Sequence, residues 1–326
     1  MSVAEIVGIA ISSVVVACGI IICIFFGIGY DIFRTIVKRS NKHTIASNNP
    51  FRKLMGENFN DFVKFSQEKA IAFADVQKEE MTITSADLLK LHAYFVPSTE
   101  GETKKTIVCL HGYNSNPITD FAAIAPFLRS KGFNLLLVSL RGQGCSEGKY
   151  LGLGTIDRFD VIKWTEALNA RIPDGEIFLY GISTGASAAM IATGMDELPL
   201  NVKGVIEDSG FTRAWDVVDY QIKQFMNLAP FPILDIANLF CRNYAKYGWR
   251  QPNPFKSVAS SSVPILFIHG GKDRFVPTYM CNAVYSACTA PKNQLIVESA
   301  GHAQSYFTDT EAYEKVIGEF LDKYSA

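Results

Sequence analysis

The chain has almost no net charge to spend on a partner. Its 31 Lys and Arg residues are balanced by 32 Asp and Glu, a formal charge of −1. Without a basic excess there is no electrostatic footprint for nucleic acid, and net charge does not steer a substrate. Metal-type cysteine spacing is also missing. None of the seven cysteines forms C-x-x-C, so neither a zinc site nor a redox pair is expected. Cys18 and Cys23 lie in an apolar run near the start. The other five are Cys109, Cys145, Cys241, Cys281 and Cys288, an odd number that fits free thiols better than a disulfide framework. Gly142-Gln143-Gly144 has Glu147 where a dinucleotide turn needs its third glycine, and Gly152-Leu153-Gly154 is a loop before a helix. No cofactor is expected. Asp157, Asp160 and Glu166 read as the solvated face of a helix rather than as metal ligands. Internal repeats and low-complexity tracts are absent.

Charged residues are missing altogether from Ile6 to Tyr30, a stretch dense in Ile, Val and Phe. Its 25 residues, at a helical rise of about 1.5 Å each, span roughly 37 Å, enough for a tilted bilayer crossing. A cleaved signal peptide needs a basic start, and Met1-Ser2-Val3-Ala4-Glu5 has none, so an uncleaved anchor is the reading. Arg34, Lys38, Arg39 and Lys42 follow the segment, and the positive-inside rule then puts the rest of the chain on the cytoplasmic side. Residues 1–39 are taken as anchor and basic flank. Residues 40–75 are taken as a polar linker, Ser40 to Asn49, and a juxtamembrane helix over Phe51 to Ala74. Phe51, Leu54, Met55, Phe59, Phe62 and Phe65 recur there at 3–4 spacing. This stripe either rests on the membrane interface or packs on the following domain.

Residues 76–326 are what remains, and here the pattern is rich. The chain is 48% hydrophobic with 24 glycines, which suits a globular α/β protein. Leu89, Leu91, Ala93 and Phe95 alternate as in a half-exposed strand near a sheet edge. Short apolar runs follow at Thr106 to Leu110, Leu135 to Val138, Ile177 to Tyr180, Val202 to Ile206, Ile265 to Ile268 and Leu295 to Val297. Helical patterns lie over Thr119 to Ser130, Ile156 to Ala170, the stretch after Ser183, and Thr310 to Lys323. Such alternation predicts a mostly parallel sheet with helices on both faces, its site at the carboxyl ends of the strands. Between Phe211 and Pro254 the alternation breaks into apolar helical segments around Pro230 and Pro232. Residues 211–254 are expected to form a small helical lid over an apolar pocket, with ordinary scaffold helices as the alternative.

The most specific motif is Gly181-Ile182-Ser183-Thr184-Gly185, placed between an apolar strand and a small-residue helix. The glycines leave room for a strained turn that lifts the Ser183 hydroxyl into the open, and the helix N-terminus points its N–H groups there. Asp273 follows a later strand and His302 follows the last one. Of the five histidines, only His302 lies after that last strand. His111 is expected to be a structural hydrogen bonder. Asp208, in Asp208-Ser209-Gly210, also ends a strand and remains a rival to Asp273.

Chain order and local wording together resemble the α/β-hydrolase superfamily: His111-Gly112, Arg141-Gly142-Gln143-Gly144-Cys145-Ser146, His269-Gly270-Gly271-Lys272-Asp273 and Ala300-Gly301-His302. The resemblance covers about residues 76 to 324. It is strongest to bacterial membrane-anchored members akin to monoacylglycerol lipases and serine aminopeptidases. Their elbow often carries Met after the serine, where this chain has Thr184. A serine hydrolase is the expectation. Ser183 would be the nucleophile, His302 the base that takes its proton, and Asp273 the group that orients the imidazole. The backbone N–H of Thr184 would stabilise an oxyanion, together with that of Tyr113, which the resemblance implies; Asn114 is its alternative. Each such donor is typically worth about 3–4 kcal/mol. The expected substrate is a small-molecule ester, lipid-like in view of the anchor and lid. A peptidase or amidase, an acyltransferase and a non-catalytic binding protein are the other readings.

Overall fold

The computed structural model describes residues 2–39, 55–56, 58–226 and 229–326. The chain opens with α1 (Val3–Val37) and α2 (Phe59–Ala72), then β1 (Glu79–Thr84), β2 (Lys90–Val96) and β3 (Lys105–Leu110). Next come α3 (Pro117–Phe121), α4 (Ala125–Ser130), β4 (Asn134–Ser139), α5 (Asp157–Arg171), β5 (Glu176–Ile182), α6 (Thr184–Ala192) and β6 (Val202–Asp208). After them are α7 (Ala214–Met226), α8 (Ile233–Phe240) with a π-helical turn over Cys241–Ala245, α9 (Pro254–Ser260), β7 (Ile265–Gly270), α10 (Thr278–Ala287), β8 (Lys292–Val297), α11 (Ser305–Thr308) and α12 (Thr310–Tyr324).

The eight strands form one sheet in the order β1-β2-β4-β3-β5-β6-β7-β8. β1 and β2 are antiparallel to their neighbours, and all pairs from β4 onward across the sheet are parallel. This is the mostly parallel α/β-hydrolase architecture. The central strands are apolar on both sides because both faces are covered. One face packs Val161, Trp164 and Leu168 of α5, Ala188, Ala189 and Ala192 of α6, and Cys281 and Val284 of α10. The other packs Phe121 and Leu128 of the α3–α4 region with Tyr313, Ile317 and Leu321 of α12. A third apolar cluster lies off the sheet. It joins Val217, Val218, Leu234, Ala237 and Trp249 of the 211–254 segment to Phe33 and Val37 of α1.

Several boundaries differ from the sequence pattern. The Thr119–Ser130 pattern is two helices, because Pro126 has no N–H to continue the first into the second. β1 was hidden by the charged pair Glu79-Glu80; only alternate residues of this edge strand turn inward. The helix expected from Phe51 starts at Phe59. Gly56 holds a left-handed φ of 108°, and the Met55 carbonyl accepts a hydrogen bond from the Gln304 side chain, so the chain there is pinned outside a helix. Phe51 and Leu54 lie outside the described residues. The Phe stripe of α2 packs on the domain: Phe62 and Phe65 meet Phe307 edge-on or tilted, at ring separations of 6.0 and 5.3 Å.

α1 is long and apolar enough to be a candidate membrane span. It starts on a capping box in which Ser2 and Glu5 satisfy each other's backbone N–H groups. From Val3 to Ile24 its surface is exposed, while Gly29, Phe33 and Val37 are buried against the rest of the protein.

Candidate active site

The site grows from the turn between β5 and α6. Ser183 has φ 53° and ψ −108°, a conformation that costs energy for a residue with a side chain. The flanking glycines permit it. A Cβ on Gly181 would lie 2.3 Å from the Ala186 nitrogen, and one on Gly185 would lie 2.0 Å from the Leu110 carbonyl oxygen. The turn therefore presses directly on the neighbouring backbone and carries the Ser183 hydroxyl clear of the sheet.

Two loops from later strands close on that hydroxyl. His302 Nε2 is 3.0 Å from Ser183 Oγ, and His302 Nδ1 is 2.7 Å from Asp273 Oδ2. The carboxylate accepts, so Nδ1 carries a proton and Nε2 is the nitrogen turned to the serine. Phe275 packs on the imidazole with ring centroids 4.9 Å apart. Asp273 Oδ1 accepts the N–H groups of Phe275 and Val276, both at 2.8 Å. Burial alone would raise the Asp273 pKa. The charge of His302 and hydrogen bonds from His269 and His302 outweigh that and hold it well below the usual carboxylate range.

Asp208 is turned elsewhere. It accepts from Ser209 Oγ at 2.8 Å and from the Tyr313 hydroxyl at 2.7 Å. Ser209 Oγ in turn accepts from the Ala303 N–H at 3.1 Å, so this pair braces the loop that carries His302. The structure brings Asp273, and not Asp208, to the histidine.

The loop after β3 supplies the other side. Asp120 holds it, accepting from the Gly112 N–H at 2.8 Å and from the Ser115 hydroxyl. The N–H of Asn114 is taken by Gln143 Oε1 at 2.7 Å, which removes it as an alternative anion donor. The N–H groups of Tyr113 and Thr184 donate to no protein atom among the described residues, and both residues line the pocket with Ser183. His111 is structural: Nδ1 donates to the Gly112 carbonyl at 2.7 Å and Nε2 accepts from the Leu140 N–H at 3.1 Å.

Sequence reasoning missed three features. His269 Nε2 lies 2.9 Å from the Val276 carbonyl and 3.2 Å from Asp273 Oδ2; because the carbonyl only accepts, this nitrogen carries a proton beside that carboxylate. Its spacing of four from Asp273 was visible but carries no helical meaning in a loop. Second, Asp157 and Asp160 are buried, not solvated. Asp160 forms two bonds to Arg141, at 2.6 and 2.7 Å, and Arg141 also pairs with Asp87, fixing the loop that bears Gln143. The charge of Arg141 inside an otherwise apolar region was the available signal, since a buried charge needs a partner. Third, α1 and α2 reach the site, which no local pattern announces.

The cavity over Ser183 has a volume of about 380 Å³. Phe211, Val217 and Val218 wall it on the side of the 211–254 segment, and Phe59, Phe62 and Phe307 on the α2 side. The titratable carboxylate or basic groups on its described lining are Asp120, already paired, and His302.

A strained serine after one strand, an acid after a later one and a histidine after the last, over a mostly parallel sheet, is the arrangement of the α/β-hydrolase fold. The chain has the α/β-hydrolase fold. Residues 101–246 match the family model described as serine aminopeptidase, S33. The Bacillus subtilis protein YqkD is 26% identical over 273 residues, covering 80% of this chain and 89% of that one. The Saccharomyces cerevisiae protein YNL320W, described as a membrane protein, is 28% identical over 249 residues, covering 74% and 79%. Among solved structures, the Pyrococcus furiosus esterase Pf2001 superposes with a TM-score of 0.62 at 21% identity, over 77% of this chain and 92% of that one. Pyrococcus horikoshii acylaminoacyl peptidase superposes with a TM-score of 0.56 at 18% identity, over 78% and 43%. At such identities these likenesses are of fold.

Proposed function

We propose that this protein is a serine hydrolase that cleaves carboxylic esters through an acyl-enzyme on Ser183, held at a membrane by α1. The observation that carries the reading is the unbroken line from Asp273 through His302 to the Ser183 hydroxyl, in bonds of 2.7 and 3.0 Å, at the floor of an apolar cavity.

Each step follows from those contacts. The serine oxygen attacks the carbonyl carbon as its proton passes to His302 Nε2. Asp273 stabilises the resulting imidazolium through Nδ1–H and keeps the ring in register. Negative charge on the carbonyl oxygen is met by the N–H groups of Tyr113 and Thr184, the latter at the positive end of α6. His302 then protonates the departing alkoxide. Water enters, loses a proton to the same nitrogen and adds to the acyl carbon; the acyl–Oγ bond breaks, His302 returns the proton to Ser183 Oγ, and the acid leaves.

A peptidase of the same mechanism is the second reading, favoured by the description of the matched family model. An aminopeptidase must hold a substrate ammonium, and the pocket's acid, Asp120, is already engaged by Gly112 and Ser115. A neutral, apolar ester fits better. An acyltransferase would differ only in the acceptor that enters second. The basic residues after α1 place the catalytic domain on the cytoplasmic side in this reading. Turnover of p-nitrophenyl esters against aminoacyl amides tests it: esters should be cleaved at least a hundredfold faster, and preference for the amides would replace esterase with peptidase.

A further inference from the structure

The anchor helix does not stop at the membrane. From Gly29 onward α1 is built into the domain. A Cβ on Gly29 would lie 2.6 Å from Ile236 Cγ2 and 3.2 Å from the Ala237 nitrogen, so α1 and α8 touch at backbone distance. Phe33 stacks on Phe240 and Tyr244, with ring centroids 6.3 and 5.9 Å apart. The Val37 carbonyl accepts the Leu151 N–H at 2.7 Å, and the Arg39 guanidinium donates to the Ser146 and Gly144 carbonyls, both at 2.8 Å. The Tyr113 hydroxyl donates to the Thr35 carbonyl at 3.2 Å, which ties the same helix to the loop beside Ser183. Thr35 and Ile36 consequently stand in the wall of the catalytic cavity. On the outside, the exposed apolar surface of α1 runs on into the lid. Phe26 meets Phe240 at 6.2 Å, beside the exposed Leu239 and Tyr244.

We propose that the last turn of the membrane helix is a specificity-determining wall of the active site, and that the site takes its ester from the bilayer, with the apolar chain lying along Ile36. This rests on the serine-hydrolase reading above. The lid helix and the span share one apolar surface, so a substrate dissolved in the leaflet reaches the cavity without crossing water. A soluble ester gains nothing from that arrangement, whereas a long chain gains contact for every methylene it seats.

The test uses the full chain in phosphatidylcholine vesicles with p-nitrophenyl esters from acetate to palmitate. Ile36→Trp, which fills the wall, should lower the laurate-to-acetate ratio of kcat/KM by about tenfold or more and move the preferred chain shorter. Ile36→Ala, which opens it, should move the preference longer, and that arm stands even if the tryptophan variant does not fold. Wild type should also cleave palmitate ester in its own vesicles at least tenfold faster than ester held in separate vesicles. Unchanged chain-length profiles in the folded variants, or equal rates from both vesicle pools, would overturn the inference. Failure of the wild type to react with a fluorophosphonate is a separate result: it would remove the hydrolase reading and this inference with it.

Discussion

Two carboxylates lie near Ser183, Asp208 at the end of β6 and Asp273 in the loop after β7, and geometry separates their work. Asp273 bonds His302, whereas Asp208 bonds Ser209 and Tyr313. Asp273→Asn should lower kcat by roughly 10³–10⁴, because an amide cannot hold the imidazole in the required tautomer and charge state. Asp208→Asn keeps one acceptor oxygen and sets an amide donor against the other hydroxyl, but neither contact is made to His302 itself, so kcat should change by less than tenfold. Steady-state kinetics on one ester decides between them, and the reverse order would move the triad acid to β6. That Ser183 and His302 would meet was readable because chain order and motif wording are local properties of the sequence. The choice of acid was not, since both aspartates follow strands. Only the path of the loop after β7, fixed by the Phe275 and Val276 N–H groups, turns one of them toward His302. The proton-bearing nitrogen of His269 beside that acid was equally invisible, as it depends on where the Val276 carbonyl comes to rest.

The strand–turn–helix around Ser183 was legible as a unit because each glycine is there for a contact that any side chain would break. The buried strands were legible from continuous apolar runs. α2 was legible as a helix but not as a pocket wall, because periodicity reports that a face is apolar and not what it faces; the end of α1, read as a basic flank after Tyr30, was legible as neither. The same limit hid the seat of α1 on α8. Gly29 and Gly27 look alike in sequence, yet a Cβ on Gly27 meets nothing within 4 Å while one on Gly29 strikes Ile236. Gly29→Val should therefore cost roughly 1–3 kcal/mol through overpacking and loosen the 211–254 segment. Gly27→Val should be neutral or mildly stabilising. Unfolding midpoints and the rate of proteolytic cleavage within 211–254 measure this, and equal behaviour of the two variants would contradict the close helix contact.

The architecture as a whole was the most legible feature, since alternation over 250 residues or so leaves few topologies. Its buried acids were not, and they give the molecule a pH dependence. Burial pushes the Glu207 pKa up to about 7, from an ordinary 4.5, and that of Asp157 also to about 7. A raised acid pKa means the folded state binds the proton more tightly. Stability is therefore full below the unfolded pKa and falls as pH rises through the folded one. Glu207 contributes a loss of roughly 3 kcal/mol across the window from pH 4.5 to about 7. Asp273 runs the other way, its contribution present above the unfolded pKa and lost in acid. Denaturant titrations should show Glu207→Gln gaining on wild type by up to about that amount between pH 5 and 8; a constant difference would mean Glu207 is not protonated in the fold. The central claim, that the Ser183 hydroxyl is made nucleophilic by His302 and Asp273, is tested most directly by treating the full chain with a fluorophosphonate and mapping the adduct by mass spectrometry. The account predicts one adduct, on Ser183, absent from Ser183→Ala and strongly slowed in His302→Ala; an adduct on another residue, or none on the folded wild type, would contradict it.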